Sequence, residues 1–323
     1  MRFLYRPRVE ERVALQERLT RVRQPAAVLE LLAPILPVGF RPVGAVCRKY
    51  SVHPDRFVVR AQVRSAAGEQ RDYALKVYAD DFAERVWAYA RKLAPHVHAL
   101  RDGLCLPIHH LPRERMLVFP WVEGRSVADV AASGVPALLR RTAALAATLH
   151  RLPVVPEPPT AAAMILDETR DRCRRLRERC PGAVPMVAPL LAELEEAATG
   201  LDPAAPSPVH GDLDAEQIVW TGERLVLVDL DMFGYTDPAY DVGHFLGQLE
   251  RRGAPAHWLT AFRDAYVGAV SARNVAFYRS VTLVRKIHTV CRLEPSRWPA
   301  IVPRLASRAL AALRDVGSPV QVP

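Results

Sequence analysis

The sequence has no long apolar run. Its apolar stretches, such as residues 143–149, are far shorter than the ~20 residues that a membrane-spanning helix needs. Residues 1–8 carry positive charge without an apolar segment after them, which is unlike a secretory signal. No internal repeat of fixed period is present, and the 28 prolines are scattered. We therefore exclude membrane-spanning, collagen-like and repeat proteins, and expect a cytoplasmic globular protein with no membrane partner.

Cysteine and lysine are both scarce. The five cysteines are an odd number and contain no C-x-x-C pair of the kind found in zinc or redox sites, so we expect reduced thiols. Only four of the 44 basic residues are lysines, namely Lys49, Lys76, Lys92 and Lys286. Because arginine is the default cation of this chain, the position of each lysine is informative.

The remaining composition is that of a globular protein. Of 323 residues, 50% are hydrophobic and 24% are charged, which suits one large domain or two of moderate size. The net charge of +9 is compatible with binding to nucleic acid, an anionic membrane or a phosphorylated small molecule. The sequence has no recognisable nucleic-acid recognition motif and no basic–aromatic stripe, so we expect no nucleic-acid partner.

Changes of pattern along the chain predict an α+β protein in two halves. Residues 1–35 are predicted as two helices that form an N-terminal extension. Residues 36–119 contain β-rich segments and one helix, and form a small N-terminal half. Residues 120–124 break this pattern and are predicted as a hinge. Residues 125–323 are mostly helical and carry a single β-hairpin.

Carboxylates are concentrated around that hairpin, whose predicted strands are 217–220 and 225–230. Residues 210–241 contain eight Asp and Glu residues and a single Arg, within a basic chain. Antiparallel pairing brings the loop before the first strand close to the end of the second. We expect four side chains to converge there: Asp212, Gln217, Asp229 and Asp231. Their hard oxygen atoms suit Mg²⁺, and the alternative for each carboxylate is a solvated loop residue.

These residues lie in motifs that resemble the aminoglycoside phosphotransferase and choline kinase superfamily of small-molecule kinases. The pattern His210-x-Asp212-x-x-x-x-Gln217 resembles the catalytic loop of that family, which usually ends in Asn. Asp229-Leu230-Asp231 resembles its counterpart of the kinase Asp-Phe-Gly motif. Residues 149–153 and 236–243 resemble two further segments of the helical half.

The small half carries two more motifs of this family. Residues 73–78 resemble the strand with the phosphate-binding lysine, and residues 117–124 resemble the hinge that reads adenine. Together the motifs occur in the family's order over residues 40–250, about two-thirds of the chain. The resemblance implies a bilobal protein-kinase-like fold, with a small β-rich N-lobe and a larger, mostly helical C-lobe.

For the catalytic loop, the resemblance implies roles in phosphoryl transfer, which depends mainly on positioning and charge neutralisation. Asp212 orients the acceptor hydroxyl and takes its proton. Asp229 holds Mg²⁺, and Gln217 supplies a second metal contact. Asp231 is either a further metal ligand or a nearby charge.

Three residues around the loop are interpreted as supporting it or as packing. His210 is expected to support the catalytic loop by hydrogen bonding rather than to transfer protons. Asp241 is expected to tether the loop by accepting hydrogen bonds from backbone N–H groups. His244 lies on an apolar helix face and is interpreted as a packing residue.

For ATP or GTP, the resemblance implies a second set of residues. Lys76 contacts the α- and β-phosphates and pairs with an acid on the next helix, for which Glu84 is the candidate. The alternatives are an edge-strand lysine and a solvated surface glutamate. The hinge resemblance adds three nucleotide-binding residues: Phe119, Pro120 and Val122.

Two departures from the family pattern are present. Gln217 stands where Asn is usual, and its amide oxygen sits one methylene further out. The segment 47–56, predicted to join the first two strands, has no glycine, and no Walker A motif occurs in the chain. Arg48, Lys49 or Arg56 is expected to contact phosphates in place of backbone N–H groups, and the alternative is an ordinary surface charge. These departures leave a pseudokinase-like nucleotide-binding or regulatory module as a second hypothesis.

The first hypothesis is a Mg²⁺-assisted kinase that phosphorylates a hydroxyl of a small molecule. The acceptor is an aminoglycoside, a sugar or another natural product. Outside residues 210–241 the chain has 43 basic and 27 acidic residues, which disfavours a polycationic aminoglycoside. We expect the protein to be a monomer or a homodimer.

Overall fold

The computed structural model describes residues 7–99, 102–130, 132–294 and 296–315. These form two compact units, one from residues 7–97 and 104–123, the other from residues 98–103 and from residue 124 onward. The first unit is built on a β-sheet and the second is mostly helical, which confirms the predicted α+β class. Among the described helices, none is both long and apolar enough to cross a membrane.

The described residues between 42 and 120 contain six strands: β1 (Pro42–Val52), β2 (Arg56–Ser65), β3 (Gln70–Tyr78), β4 (Gly103–Leu104), β5 (His109–Leu111) and β6 (Met116–Pro120). Five of them form an antiparallel sheet in the order β1-β2-β3-β6-β5. Side chains alternate between the two faces of a strand. In β2 this alternation buries Phe57, Val59, Ala61 and Val63 on one face.

Helices cover the apolar surface of this sheet. The N-terminal helices α1 (Val9–Arg21) and α2 (Pro25–Leu32) place Leu15, Leu19 and Leu32 in the same core as the β2 side chains. Helix α3 (Phe82–Leu93) follows β3 and buries the face formed by Ala83, Val86, Tyr89, Ala90 and Leu93. The spacing of three or four residues between most of these positions is that of one helix face.

The second unit contains eight helices among its described residues: α4 (Val135–His150), α5 (Ala162–Arg174), α6 (Leu176–Arg179), α7 (Val184–Thr199), α8 (Ala239–Arg251), α9 (Ala256–Arg263), α10 (Ala272–Leu293) and α11 (Trp298–Arg314). Its short strands are β7 (Arg125–Ser126), β8 (Ser207–Val209), β9 (Ile218–Trp220), β10 (Leu225–Leu227) and β11 (Gly234–Thr236). Strand β9 pairs antiparallel with β7 and β10, and β8 pairs antiparallel with β11.

Helices α8 and α10 lie unusually close together. A Cβ atom on Gly243 would lie 2.6 Å from the carbonyl oxygen of Val275, so only glycine allows this approach. Tyr240 and Tyr278 pack edge to face beside it, with ring centroids 5.4 Å apart. Since α10 is 22 residues long and mostly buried, it forms the central support of the second unit.

Three element boundaries differ from those expected. The sequence places residues 47–56 in a loop, but β1 continues to Val52 and leaves only residues 53–55 as the turn. The sequence pattern predicts one helix over residues 255–271, but α9 ends at Arg263. The pattern also predicts a helix that starts at Pro189, but α7 starts at Val184, because Pro185 occupies its first turn, where the missing N–H of proline has no cost.

Candidate active site

The predicted hairpin is confirmed and holds the catalytic loop at both ends. Its ladder continues past β9 and β10, because the N–H of Val228 donates to the carbonyl oxygen of Gln217 at 2.9 Å. Strand β10 ends at Leu227 instead of residue 230, since Asp229 adopts a left-handed conformation with φ of 65°. The side chain of Asp229 accepts a hydrogen bond from the N–H of Asp231. The ladder therefore brings Gln217 next to the turn that begins at Asp229.

Asp241 fixes the start of the catalytic loop. Its carboxylate is fully buried in the first turn of α8 and accepts hydrogen bonds from the N–H groups of His210 (2.7 Å) and Gly211 (2.8 Å). His150 lies 3.1 Å from the same carboxylate, and its other ring nitrogen lies 2.7 Å from the hydroxyl of Tyr266. Burial acts to raise the pKa of Asp241, but the hydrogen bond and charge of His150, with those of the loop, lower it. The carboxylate is thus held ionised as an anchor.

Gly211 allows the loop to pass directly over the turn after β10. Its φ is +80°, and a Cβ atom there would lie 2.0 Å from the carbonyl oxygen of Met232. A side chain at this position would therefore collide with backbone that cannot rotate away. His210 beside it is buried, and its Nε2 lies 3.0 Å from the carbonyl oxygen of Val228. Both residues join the catalytic loop to the segment that carries Asp229.

Asp212 is a partly exposed carboxylate of this loop, and it pairs directly with a histidine. Its side chain is 41% exposed, and one oxygen lies 3.1 Å from Nε2 of His244. Burial acts to raise the pKa of Asp212, but the hydrogen bond and charge of His244 outweigh it and hold the pKa well below its ordinary range. Lys286 and His210 add to the lowering. Asp212 is therefore ionised at neutral pH, partly open to solvent and fixed in orientation.

His244 corrects an expectation from the sequence. The apolar face of α8 suggests a packing residue, but the ring of His244 bridges two groups. Its Nδ1 lies 3.1 Å from the hydroxyl of Thr282 on α10, while Nε2 meets Asp212. The amide nitrogen of Gln248 also lies 3.2 Å from Nε2 of His244. His244 thus orients the proposed base.

The acidic side chains do not all converge as the sequence suggests. Among the described residues, no group of three or more His, Cys, Asp and Glu is arranged to hold a metal ion. Asp212 instead faces His244, and Asp231 is buried beside the Asp229 turn. Gln217 and Asp229, which the backbone ladder brings near each other, stay the predicted Mg²⁺ ligands. Such a small donor set suits an ion that keeps waters and substrate phosphates in its shell.

The residues predicted to bind nucleotide phosphates lie in the first unit. Lys76 is buried in β3, opposite Val58 of β2 and Leu117 of β6, with its ammonium 5.6 Å from the centre of the Tyr78 ring. The ion pair of Lys76 with Glu84 stays a prediction. Glu84 is exposed, because the buried face of α3 runs through residues 83, 86, 90 and 93 and excludes it.

The structure also gives the positions of the other residues of the first unit that were predicted to bind the nucleotide. Arg48 lies within β1, exposed and opposite Arg60 in the register, and its contact with phosphates stays a prediction. Phe119 and Pro120 end β6, with Phe119 in the core, and Val122 follows the strand. The Cys105 thiol lies 3.6 Å from the carbonyl oxygen of Pro120. Their contact with a nucleobase stays a prediction.

Comparison with known proteins decides the family. Residues 48–279 match the phosphotransferase enzyme family, which is well over half of the chain. The chain belongs to this family. Among curated protein sequences, no relative matches this phosphotransferase.

Solved structures show the same fold at low sequence identity. A choline/ethanolamine kinase family protein from Mesorhizobium loti is 16% identical with a TM-score of 0.61, covering 94% of this chain and 95% of its own. A macrolide 2'-phosphotransferase from Brachybacterium faecium is 19% identical with a TM-score of 0.55 (92% and 98% covered). A spectinomycin phosphotransferase, in complex with ADP and spectinomycin, is 13% identical with a TM-score of 0.61 (93% and 96% covered). The predicted protein-kinase-like fold is thereby confirmed.

Besides His244, two side chains near the candidate site of this phosphotransferase were not singled out by sequence analysis. His150 was visible only as part of the motif at 149–153, but the structure shows it against Asp241. Lys286 lies within electrostatic range of Asp212 although 74 residues separate them. Its rarity as one of four lysines was the only signal in the sequence.

Proposed function

We propose that this phosphotransferase moves the γ-phosphoryl group of ATP or GTP to a hydroxyl of a small molecule, with Asp212 as the catalytic base. The observation that carries this proposal is the geometry of Asp212. It is partly exposed, oriented by His244 at 3.1 Å, and placed on a loop anchored to the buried Asp241. A side chain held in this way is pre-organised to receive a hydroxyl.

In the proposed step, the acceptor hydroxyl donates a hydrogen bond to the Asp212 carboxylate. The hydroxyl oxygen forms a bond to the γ-phosphorus while the bond between that phosphorus and the β,γ-bridging oxygen breaks. The hydroxyl proton passes to Asp212 and later to solvent, and the nucleoside diphosphate leaves with the bridging oxygen. Because the pKa of Asp212 is lowered, the carboxylate is a weak base that acts mainly by orienting the hydroxyl until its proton becomes acidic.

Mg²⁺ is proposed to be held by Asp229 and by the amide oxygen of Gln217. When bound, the ion neutralises negative charge on the nucleotide phosphates. Asp231 is proposed as a further ligand or as a charge that orients Asp229. The ladder bond between Val228 and Gln217 supports this assignment, because it brings the backbone of Gln217 next to the turn that begins at Asp229.

The nucleotide is proposed to use residues of the first unit. Lys76 is the proposed phosphate contact, because it lies buried in β3, in the segment 73–78 that resembles the family's strand with the phosphate-binding lysine. Phe119, Pro120 and Val122 are proposed to contact the base. The spectinomycin phosphotransferase in complex with ADP supports nucleotide use by a protein of this fold.

The test is the Asp212→Asn variant, with Asp264→Asn as the matched control. Asp264 is 61% exposed on the surface and pairs only with its neighbour Arg263 among the described residues. The measurement is Mg²⁺-dependent ADP release from ATP and GTP with a set of hydroxyl compounds, together with thermal stabilisation by the magnesium nucleotide. Loss of a positioned base typically slows turnover ~10²–10⁴-fold.

We expect Asp212→Asn to lose turnover by that factor while keeping nucleotide stabilisation, and Asp264→Asn to behave as the native protein. Equal turnover in Asp212→Asn and native protein would remove Asp212 from the mechanism. Absence of any nucleotide stabilisation in the native protein would contradict the whole proposal. Nucleotide stabilisation without turnover would favour the regulatory module instead.

A further inference from the structure

Lys286 occupies a position that the proposed mechanism does not use. It lies on α10, one helical turn beyond Thr282, and residues four apart share a helix face. Thr282 contacts His244, which in turn contacts Asp212. Gly243 brings α8 and α10 close enough for this chain of contacts to form. Lys286 therefore lies on the side of α10 that faces the proposed base.

The ammonium of Lys286 lacks a direct partner within the described part of the protein. It makes neither a hydrogen bond nor an ion pair there, although the residue is partly buried. Burial lowers its pKa, the carboxylates of Asp212 and Asp214 oppose this, and the guanidinium groups of Arg251 and Arg172 add to it. A partly desolvated cation without a hydrogen-bonded anion is costly, and such groups are commonly retained for binding.

The cations beside Lys286 are not fully neutralised either. Arg251 donates to the neutral amide oxygen of Gln248 at 3.0 Å and has no carboxylate partner among the described residues. Glu168 serves two guanidinium groups at once, those of Arg172 and Arg285. The side of α10 next to Asp212 therefore carries an excess of positive charge.

We propose that Lys286, with support from Arg251, binds an oxyanion of the acceptor, so that the acceptor of this enzyme is a hydroxylated anion bearing a carboxylate, sulfate or phosphate group. The inference rests on the proposed function, because it takes the Asp212 carboxylate as the group that accepts the proton of the acceptor hydroxyl. An acceptor that covers Asp212 also removes water from Lys286. An anionic group supplies the missing partner, whereas a polycation would face like charges at short range.

The binding test uses paired probes that differ in one carboxylate: gluconate with glucose, and glycerate with glycerol. Binding to the full-length protein is measured by titration calorimetry, with and without magnesium ADP. Lys286→Met removes the charge and keeps most of the side-chain length. Lys286→Arg keeps the charge, and Arg304→Met removes an exposed charge of α11 as the matched control.

We expect each carboxylate probe to bind at least about tenfold more tightly than its neutral partner, since a hydrogen bond to a charged group has that worth. Lys286→Met should lose this preference, and Lys286→Arg and Arg304→Met should keep it. Circular dichroism checks that each variant is folded. If Lys286→Met does not fold, the comparison of anionic and neutral probes is still made with the native protein and Lys286→Arg. Magnesium ATP should stabilise all variants alike, which separates this inference from the proposed function.

Three results would overturn the inference. The first is equal binding of anionic and neutral probes, including no binding of either. The second is an undiminished anion preference in Lys286→Met. The third is an effect of Lys286→Met on ATP affinity with none on the probes, which would assign the ammonium to the nucleotide.

Discussion

Replacing Asp241 by Asn tests whether the catalytic loop is held by a buried charge. The carboxylate accepts two backbone hydrogen bonds, at 2.7 and 2.8 Å, and meets His150 at 3.1 Å. An asparagine side chain offers a single acceptor oxygen. Its amide group must then face an N–H donor of His210 or Gly211, or the ring of His150.

The size of the effect follows from these contacts. A hydrogen bond to a charged group contributes about 1.5–3 kcal/mol, and removing one member of a buried pair costs about 3–5 kcal/mol. We expect Asp241→Asn to lower the free energy of unfolding by about 3 kcal/mol. For a unit of about 200 residues, this corresponds to a drop in Tm of ~6–12 °C.

The pH dependence of stability provides a second readout. The pKa of Asp241 is lowered below its ordinary value of 3.8, so its contribution is present above that value and is lost as pH falls through the folded-state pKa. Asn does not titrate. The stability difference between native protein and variant should therefore shrink as the pH is lowered from ~5 to ~2.

Thermal unfolding across this pH range is the assay, with Asp264→Asn as control. Because Asp264 forms an exposed pair with Arg263, its loss should cost less than ~1 kcal/mol. A fall in Tm for Asp241→Asn no larger than that of the control would refute the anchoring role. A stability difference that stays constant with pH would refute the assignment of an ionised carboxylate.

Two further predictions concern the loop and its base. Gly211→Ala should lower the free energy of unfolding by ~2–5 kcal/mol, since the new Cβ would lie 2.0 Å from the carbonyl oxygen of Met232 at a φ of +80°. Gly222→Ala is the control, because Gly222 has a φ of +101° but open space around it, and it should lower the free energy of unfolding by only ~1–2 kcal/mol. Equal losses of stability for the two variants in denaturant titrations would contradict the close contact at Gly211. His244→Phe should move the acid limb of the kcat/KM profile to higher pH, because His244 lowers the pKa of Asp212 against the effect of burial; an unmoved limb would count against that contact.

Much of the fold was predictable because its signals are local. Alternating apolar residues predict β2, and helical spacing predicts α3, since each pattern places apolar side chains on one face. The order of short motifs predicts the family, which residues 48–279 confirm. The end of β1 was not predictable in the same way. Exposed Arg48 and Lys49 are typical of loops, but pairing with β2 keeps them in a strand.

The sequence identifies candidate site residues that lie within motifs, and it does not identify those that reach the candidate site from elsewhere. Asp212, Gln217 and Asp229 are identified by their spacing along one segment. His244 and Lys286 depend on the packing of α8 against α10, which is set by glycines whose close contacts have no local signature. Side-chain contacts of this kind are fixed by tertiary structure and leave no periodic pattern in the sequence.

The acidic segment at 210–241 shows why charge density alone is a poor guide to a metal site. The sequence suggests that so many carboxylates need a divalent ion among them. In the structure, most of them have separate protein partners: Asp214 and Glu216 with Arg252, Asp237 with Asn274, Asp241 with His150, and Asp212 with His244. These partners offset the mutual repulsion without a metal, so the number of carboxylates does not measure the number of ligands. The segment is acidic because several of its carboxylates each have a structural partner, as Asp241 has in the backbone of the loop that it anchors.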